Sequence, residues 1–228
     1  MTPTTQFRNA ARSHTSLLAA AEKRTLIAIA QRLPGWVNSD RLTALGFIAL
    51  VATGFSYAFA RVNPLGLLLV IPLLILNWFG DSLDGTLARV RNCQRPRYGF
   101  YVDHILDAIG MSFLIGGIAV SGYISPTVAG VFLIVYLLLS IEIYLATYTI
   151  GVFHLSYWNF GPTELRILLI VGNLFALRRS AVVIAGRMFL LFDIGFAIGA
   201  VALAVILVQA AAKHTGQLYR EETVPRAK

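Results

Sequence analysis

Six apolar stretches divide the chain: Leu42 to Ala60, Leu65 to Phe79, Met111 to Val120, Thr127 to Tyr148, Leu165 to Leu177 and Ile194 to Ala212. With its flanks, each approaches the roughly 20 residues that a helix needs to cross about 30 Å of hydrocarbon. The pattern predicts six transmembrane helices. Between Thr15 and Leu33 the pattern is different. Leu26, Ile29, Ala30 and Leu33 fall at helical spacing opposite Lys23, Arg24 and Gln31, and Pro34-Gly35 closes the segment. Such a stretch predicts an amphipathic helix lying in the membrane interface. Trp36 follows it at the depth where indole prefers to sit.

Asn63-Pro64-Leu65-Gly66, and Ser121-Gly122-Tyr123 ahead of Pro126, are short turn-prone connections that imply antiparallel neighbours. The connections Arg91 to Tyr98 and Gly151 to Thr163, the second holding His154, Tyr157, Trp158 and Asn159, are longer and can reach a site at headgroup level. A composition 57% hydrophobic and 13% charged is too apolar for an ordinary soluble domain. A net charge of +8 would suit nucleic acid, but the basic residues punctuate apolar spans and form no stripe on a soluble module, so no nucleic-acid partner is expected. With the N-terminus in the cytoplasm, 15 of the 19 Lys and Arg fall inside, and only Arg61, Arg178, Arg179 and Arg187 fall outside. That asymmetry satisfies the positive-inside rule and places both termini in the cytoplasm, the basic 178–187 loop being its one awkward segment. The expected organisation is an all-α membrane protein: residues 1–41 as a cytoplasmic N-terminus with the interfacial helix, 42–212 as a six-helix transmembrane catalytic domain, and 213–228 as a cytoplasmic basic tail. No secretory signal is expected, and Cys93, the single cysteine, has no intrachain partner.

The second span continues past its apolar run as Gly80-Asp81-Ser82-Leu83-Asp84-Gly85-Thr86-Leu87-Ala88-Arg89, and the third opens with Gly99-Phe100-Tyr101-Val102-Asp103-His104-Ile105-Leu106-Asp107. On helices, Asp81, Asp84, Gly85 and Ala88 share one face, and Asp103 and Asp107 share another. An acid inside a span costs about 2.5 to 3.5 kcal/mol at the helix centre, so four together call for a positive partner. Hard oxygen ligands without a His or Cys cluster favour Mg²⁺ or Mn²⁺, ions that also coordinate substrate phosphates. Gly85 and Ala88 leave that face without bulk, so a nucleotide can approach closely, and Arg89 with Arg91, Arg95 and Arg97 attracts anions to the mouth.

The eight positions Asp81-x-x-Asp84-Gly85-x-x-Ala88-Arg89 and Gly99-x-x-x-Asp103-x-x-x-Asp107 resemble the signature of the CDP-alcohol phosphotransferase family, and every fixed position of that signature is matched. The six-span layout behind an amphipathic helix also resembles that family. The resemblance implies that Asp81, Asp84 and Asp103 hold one or two divalent ions on the CDP pyrophosphate, with Asp107 as a further ligand or the catalytic base. It implies a nucleotide site made by Thr43, Asp81, Asp84, Gly85, Ala88 and Arg89, and a homodimer. Thr43 matches an Asn-x-x-Thr-like element ahead of the first span, while Asp40 departs from its Asn.

For the acceptor, the inner half beyond the motif offers one clear cation, Arg166, among Glu142, Tyr144, Thr147, Tyr148, Thr163 and Glu164. Such a wall suits a neutral polyol or an amino alcohol, with Glu142, Glu164 and Arg166 as candidate contacts. The two acids have blander alternatives: Glu142 as an interhelical hydrogen-bond partner, and Thr163 with Glu164 as a helix cap. Asp193 reads as a cap opening the sixth span, and His104 as a packed neighbour. The expected activity is transfer of the phosphatidyl group of CDP-diacylglycerol to a small polar alcohol, releasing CMP, at the cytoplasmic face. A sibling reading moves phosphocholine or phosphoethanolamine from its CDP form to diacylglycerol. A reading of another class uses the carboxylates in a divalent-cation transporter.

Overall fold

The computed structural model describes residues 11–13, 19–154 and 162–222. The elements in chain order are β1 (Ala11–Ser13), α1 (Ala19–Arg32), α2 (Ser39–Ala60), α3 (Leu65–Val90), α4 (Pro96–Val120), α5 (Pro126–Thr149), β2 (Val152–His154), α6 (Pro162–Ala176), β3 (Ala181–Ile184), β4 (Arg187–Leu190) and α7 (Leu191–Glu221). Tyr157, Trp158 and Asn159, and the end of the tail at 223–228, lie outside the described residues.

Helix boundaries follow local chemistry. Extended Asn38 accepts a hydrogen bond from the Arg41 amide at 2.8 Å and so caps α2. Helices α4, α5 and α6 begin on Pro96, Pro126 and Pro162, at the position where a missing amide costs nothing. Helix α7 starts differently from the sequence reading. Asp193 sits in its first turn, but its carboxylate accepts the Ser125 amide at 2.6 Å and the Ser125 hydroxyl at 2.7 Å. It therefore caps a different helix, α5, from across the bundle.

Five helices, α2 to α5 and α7, are long and apolar enough to cross a membrane. Among the described residues five of the six expected spans are therefore long helices, and the sixth is not confirmed. The stretch expected as the fifth span lies in α6, whose 15 residues reach only about 22 Å. The basic 178–187 segment is an antiparallel hairpin, β3 on β4, turned by Ala185 and Gly186, both at positive φ as a two-residue hairpin turn demands. The expected tail at 213–228 differs in its first part, since α7 runs unbroken to Glu221.

Close backbone approach holds α2 against both its neighbours. A Cβ on Gly80 would lie 2.5 Å from the Gly46 nitrogen, and one on Gly117 would lie 1.9 Å from the Gly54 oxygen, so neither position admits a larger side chain without separating the helices. The core between them contains Tyr57, Leu67, Val70, Leu74, Leu114 and Ile118. The buried Tyr57 hydroxyl accepts a 2.7 Å bond from Asn173 of α6, which leaves no orphaned phenol in an apolar interior. Outward faces carry Ile48, Phe55, Leu68, Phe113 and Val201, exposed as lipid-facing side chains are. A second apolar cluster, Leu26, Ala30, Val37, Leu42, Leu83 and Leu87, packs α1 onto the end of α3 that carries the aspartates.

Candidate active site

Helix α3 does not stop where its apolar run stops. It remains helical to Val90, so Asp81 and Asp84 stay on one face. Helix α4 starts at Pro96, placing Asp103 and Asp107 on successive turns near its beginning. The contact at Gly46 and Gly80 draws α2 in as a third wall. The result is a narrow cleft lined by Thr43, Gly46, Phe47, Leu50, Asn77, Leu106 and all four aspartates.

Within it the acids divide. One oxygen each from Asp81, Asp103 and Asp107 lies within 4.8 Å of the others. At an effective dielectric constant of roughly 20, two unit charges that far apart repel by about 3 kcal/mol. Asp84 is turned toward α2 instead: Thr43 donates to its Oδ2 at 2.6 Å, and the Gly85 amide donates to its Oδ1. Ser39 donates to the Asp84 carbonyl at 3.0 Å, a second tie between the same helices. From α6, Arg166 reaches in. Its Nη2 donates to Asp81 Oδ2 at 2.5 Å and its Nε to Asn77 Oδ1 at 2.7 Å, while the Asn77 amide donates to the Gly46 carbonyl at 2.9 Å.

A sequence profile of the family described as CDP-alcohol phosphatidyltransferase matches residues 36–212, most of the chain and all of this cleft. The chain belongs to the CDP-alcohol phosphatidyltransferase family. A search of curated proteins gave no match. The family transfers phosphate-containing groups from CDP-alcohols, generally with a divalent metal. The donor set fits such an ion: three carboxylates from two helices, converging to a few ångströms with oxygen-only ligands, as Mg²⁺ and Mn²⁺ prefer. Asp81, Asp103 and Asp107 would hold it, with Asp84 one turn away on Thr43.

The remaining candidate residues fall at the rim or away from the cleft. Gly85 is open toward the Arg89 guanidinium, whose nearest atom would be 3.5 Å from an added Cβ. Arg89 also donates to Thr86 at 3.0 Å, and Ala88 is buried. Asp40, at the position where the family signature has Asn, forms an ion pair with Arg95. Arg91 donates to the carbonyls of Leu33, Pro34 and Val37, fastening the linker after α1. His104 packs against the Phe100 ring at 4.1 Å, with its Nδ1 2.7 Å from the Phe100 carbonyl. Of the three acceptor candidates, Arg166 bonds two residues of the cleft, Asp81 and Asn77. Glu142 instead meets His214 of α7 at 2.5 Å, and Glu164 stands in the first turn of α6.

Sequence reasoning missed Glu22. Its Oε1 accepts from Trp78 at 2.8 Å, from Ser82 at 3.3 Å and from Thr163 at 2.9 Å, joining α1 to α3 and α6 beside the cleft. The only available signal was a lone acid at the start of an otherwise basic amphipathic helix. Asn77 was visible as the one polar residue between the apolar run of α3 and Asp81, but its service to Arg166 depends on a helix far along the chain.

Proposed function

We propose that this chain transfers the phosphatidyl group of CDP-diacylglycerol to a small polar alcohol, releasing CMP, with its cleft at the cytoplasmic face of the membrane. The observation that carries the reading is the convergence of Asp81, Asp103 and Asp107 from two membrane-crossing helices in a cleft otherwise lined by Asp84, Thr43, Asn77 and apolar residues. Three mutually repelling carboxylates at the end of a hydrophobic bundle suit a cation-bridged polyphosphate. The divalent ion, Mg²⁺ or Mn²⁺, would neutralise charge on the phosphates and leaving group.

The chain's own residues bind, orient and move the proton. Asp107 takes the proton of the acceptor hydroxyl as it attacks the phosphorus distal to cytidine, and CMP departs. Thr43 keeps Asp84 oriented for the nucleotide, which Gly85 and Ala88 admit and Arg89 attracts from the rim. Arg166, through its bond to Asp81, borders the acceptor side, with Glu142 and Glu164 as further acceptor candidates. A small neutral alcohol fits because Arg166 is the one cation among the three acceptor candidates, the other two being acids. A homodimer, with α1 lying in the membrane interface of each copy, completes the proposal. Transport of a cation has no support in the family match.

The test is direct. Full-length protein in nanodiscs receives labelled CDP-diacylglycerol and labelled CDP-choline separately, each with Mn²⁺ and a panel of small alcohols or diacylglycerol, and products are resolved as lipids. CMP release with a labelled phosphatidyl product from CDP-diacylglycerol alone is the expected result. Product from CDP-choline alone reverses the roles of donor and acceptor, and no CMP from either overturns the reading.

A further inference from the structure

Arg166 is the one feature of the cleft that the metal chemistry does not require. Its guanidinium is bonded to an oxygen of Asp81, one of the three converging carboxylates a divalent ion would use. It is not there by accident of a long side chain. Asn77 holds the Nε from behind, and Asn77 is itself fixed by the Gly46 carbonyl at the closest approach of α2 and α3. The guanidinium side chain is 14% exposed and Asp81 25%, so water screens the pair only weakly.

We propose that Arg166 is the resident counter-ion of the carboxylate cluster, competing with the divalent ion for Asp81 and moving to a substrate phosphate when the ion arrives. The inference rests on the reaction proposed above. Four carboxylates line the cleft, and without a cation their mutual repulsion would force them apart. One guanidinium relieves part of that strain and preserves the geometry of the empty site. It also opposes a dication, because like charges a few ångströms apart repel and both claim the same acid. A phosphate resolves the conflict: the planar fork that binds carboxylate binds phosphate equally well. Ion and nucleotide then assist each other, each removing the obstacle to the other, and that coupling is reciprocal.

The experiment measures Mn²⁺ binding itself. Full-length wild type, Arg166→Gln and Arg166→Lys in phosphatidylcholine nanodiscs are titrated with Mn²⁺, free ion being read by electron paramagnetic resonance, with and without CMP. Without CMP, Arg166→Gln is expected to bind Mn²⁺ about tenfold more tightly than wild type, and CMP to add less to its affinity. Arg166→Lys, which keeps the charge, stays near wild type. A merely structural tie between α6 and α3 predicts the opposite sign, so equal or weaker binding in Arg166→Gln overturns the inference. Wild type alone provides a second reading. Phenylglyoxal modification of Arg166, mapped by mass spectrometry, should rise when Mn²⁺ is added and fall again with CMP; reactivity indifferent to Mn²⁺ overturns it equally. CMP release by wild type, with Mn²⁺ affinity unchanged in Arg166→Gln, defeats this inference alone. Wild type that releases no CMP defeats the reaction beneath it.

Discussion

Two sets of acids sit inside this bundle and are treated in opposite ways. Asp193 meets two donors from one residue, the amide and hydroxyl of Ser125, at the exposed start of α5. Both its oxygens are engaged, and the result is an interhelical cap. Asp81, Asp103 and Asp107 converge on one another, and Arg166 brings a full positive charge to an oxygen of Asp81. The first arrangement neutralises a carboxylate with fixed dipoles and leaves nothing to bind. The second keeps a surplus of negative charge at a point three helices define. The difference separates a structural acid from a functional one better than burial does, since all four are partly buried.

If that contrast is right, replacing acids should divide cleanly between chemistry and stability. The largest effect is expected at Asp107→Asn, where loss of the base should lower CMP release by about 10² to 10⁴ while CMP binding persists. Unaltered turnover, followed by a coupled CMP assay, would remove Asp107 from the mechanism. Next come Asp81→Asn and Asp103→Asn, expected to weaken Mn²⁺ binding by at least about tenfold, in keeping with loss of a charged ligand. Asp193→Ala should do the reverse, costing roughly 1 kcal/mol of stability through the lost cap, with Mn²⁺ affinity unchanged. Thermal unfolding in the same nanodiscs reads the first quantity and the titration reads the second. A drop in metal affinity at Asp193→Ala would blur the two classes. The smallest effect is expected at Thr43→Val, which frees Asp84 from its hydrogen bond to the Thr43 hydroxyl and should shift nucleotide affinity a few-fold.

What the sequence made legible was whatever depends on helical period. Spacings of three and four residues put Asp81 with Asp84 and Asp103 with Asp107, and the helices place them so. Apolar runs located the five long helices, and Pro and Asn-Pro punctuation located their turns. Which of the four acids would face the others was not legible, because Asp84 answers to Thr43, 41 residues away. The same limit hid the role of Asp193, which caps a helix 68 residues earlier, and the partnership of Arg166 with Asn77. The hairpin at 181–190 was concealed differently. Val182, Val183 and Ile184 are good strand formers, but in a chain this apolar they read simply as part of a hydrophobic background.

Glu22 carries a consequence for how the cleft bears motion. One of its oxygens holds Ser82, between the aspartates of α3, and Thr163, one turn before Arg166 on α6. The two walls that Arg166 spans, α3 and α6, are therefore joined through one atom of α1 as well as by the bonds of Arg166 to Asp81 and Asn77. A tilt of α1 in the bilayer is expected to carry both walls together, as a shared carriage moves both rails of a vice, leaving the gap between Asp81 and Arg166 unchanged while the bundle around it flexes.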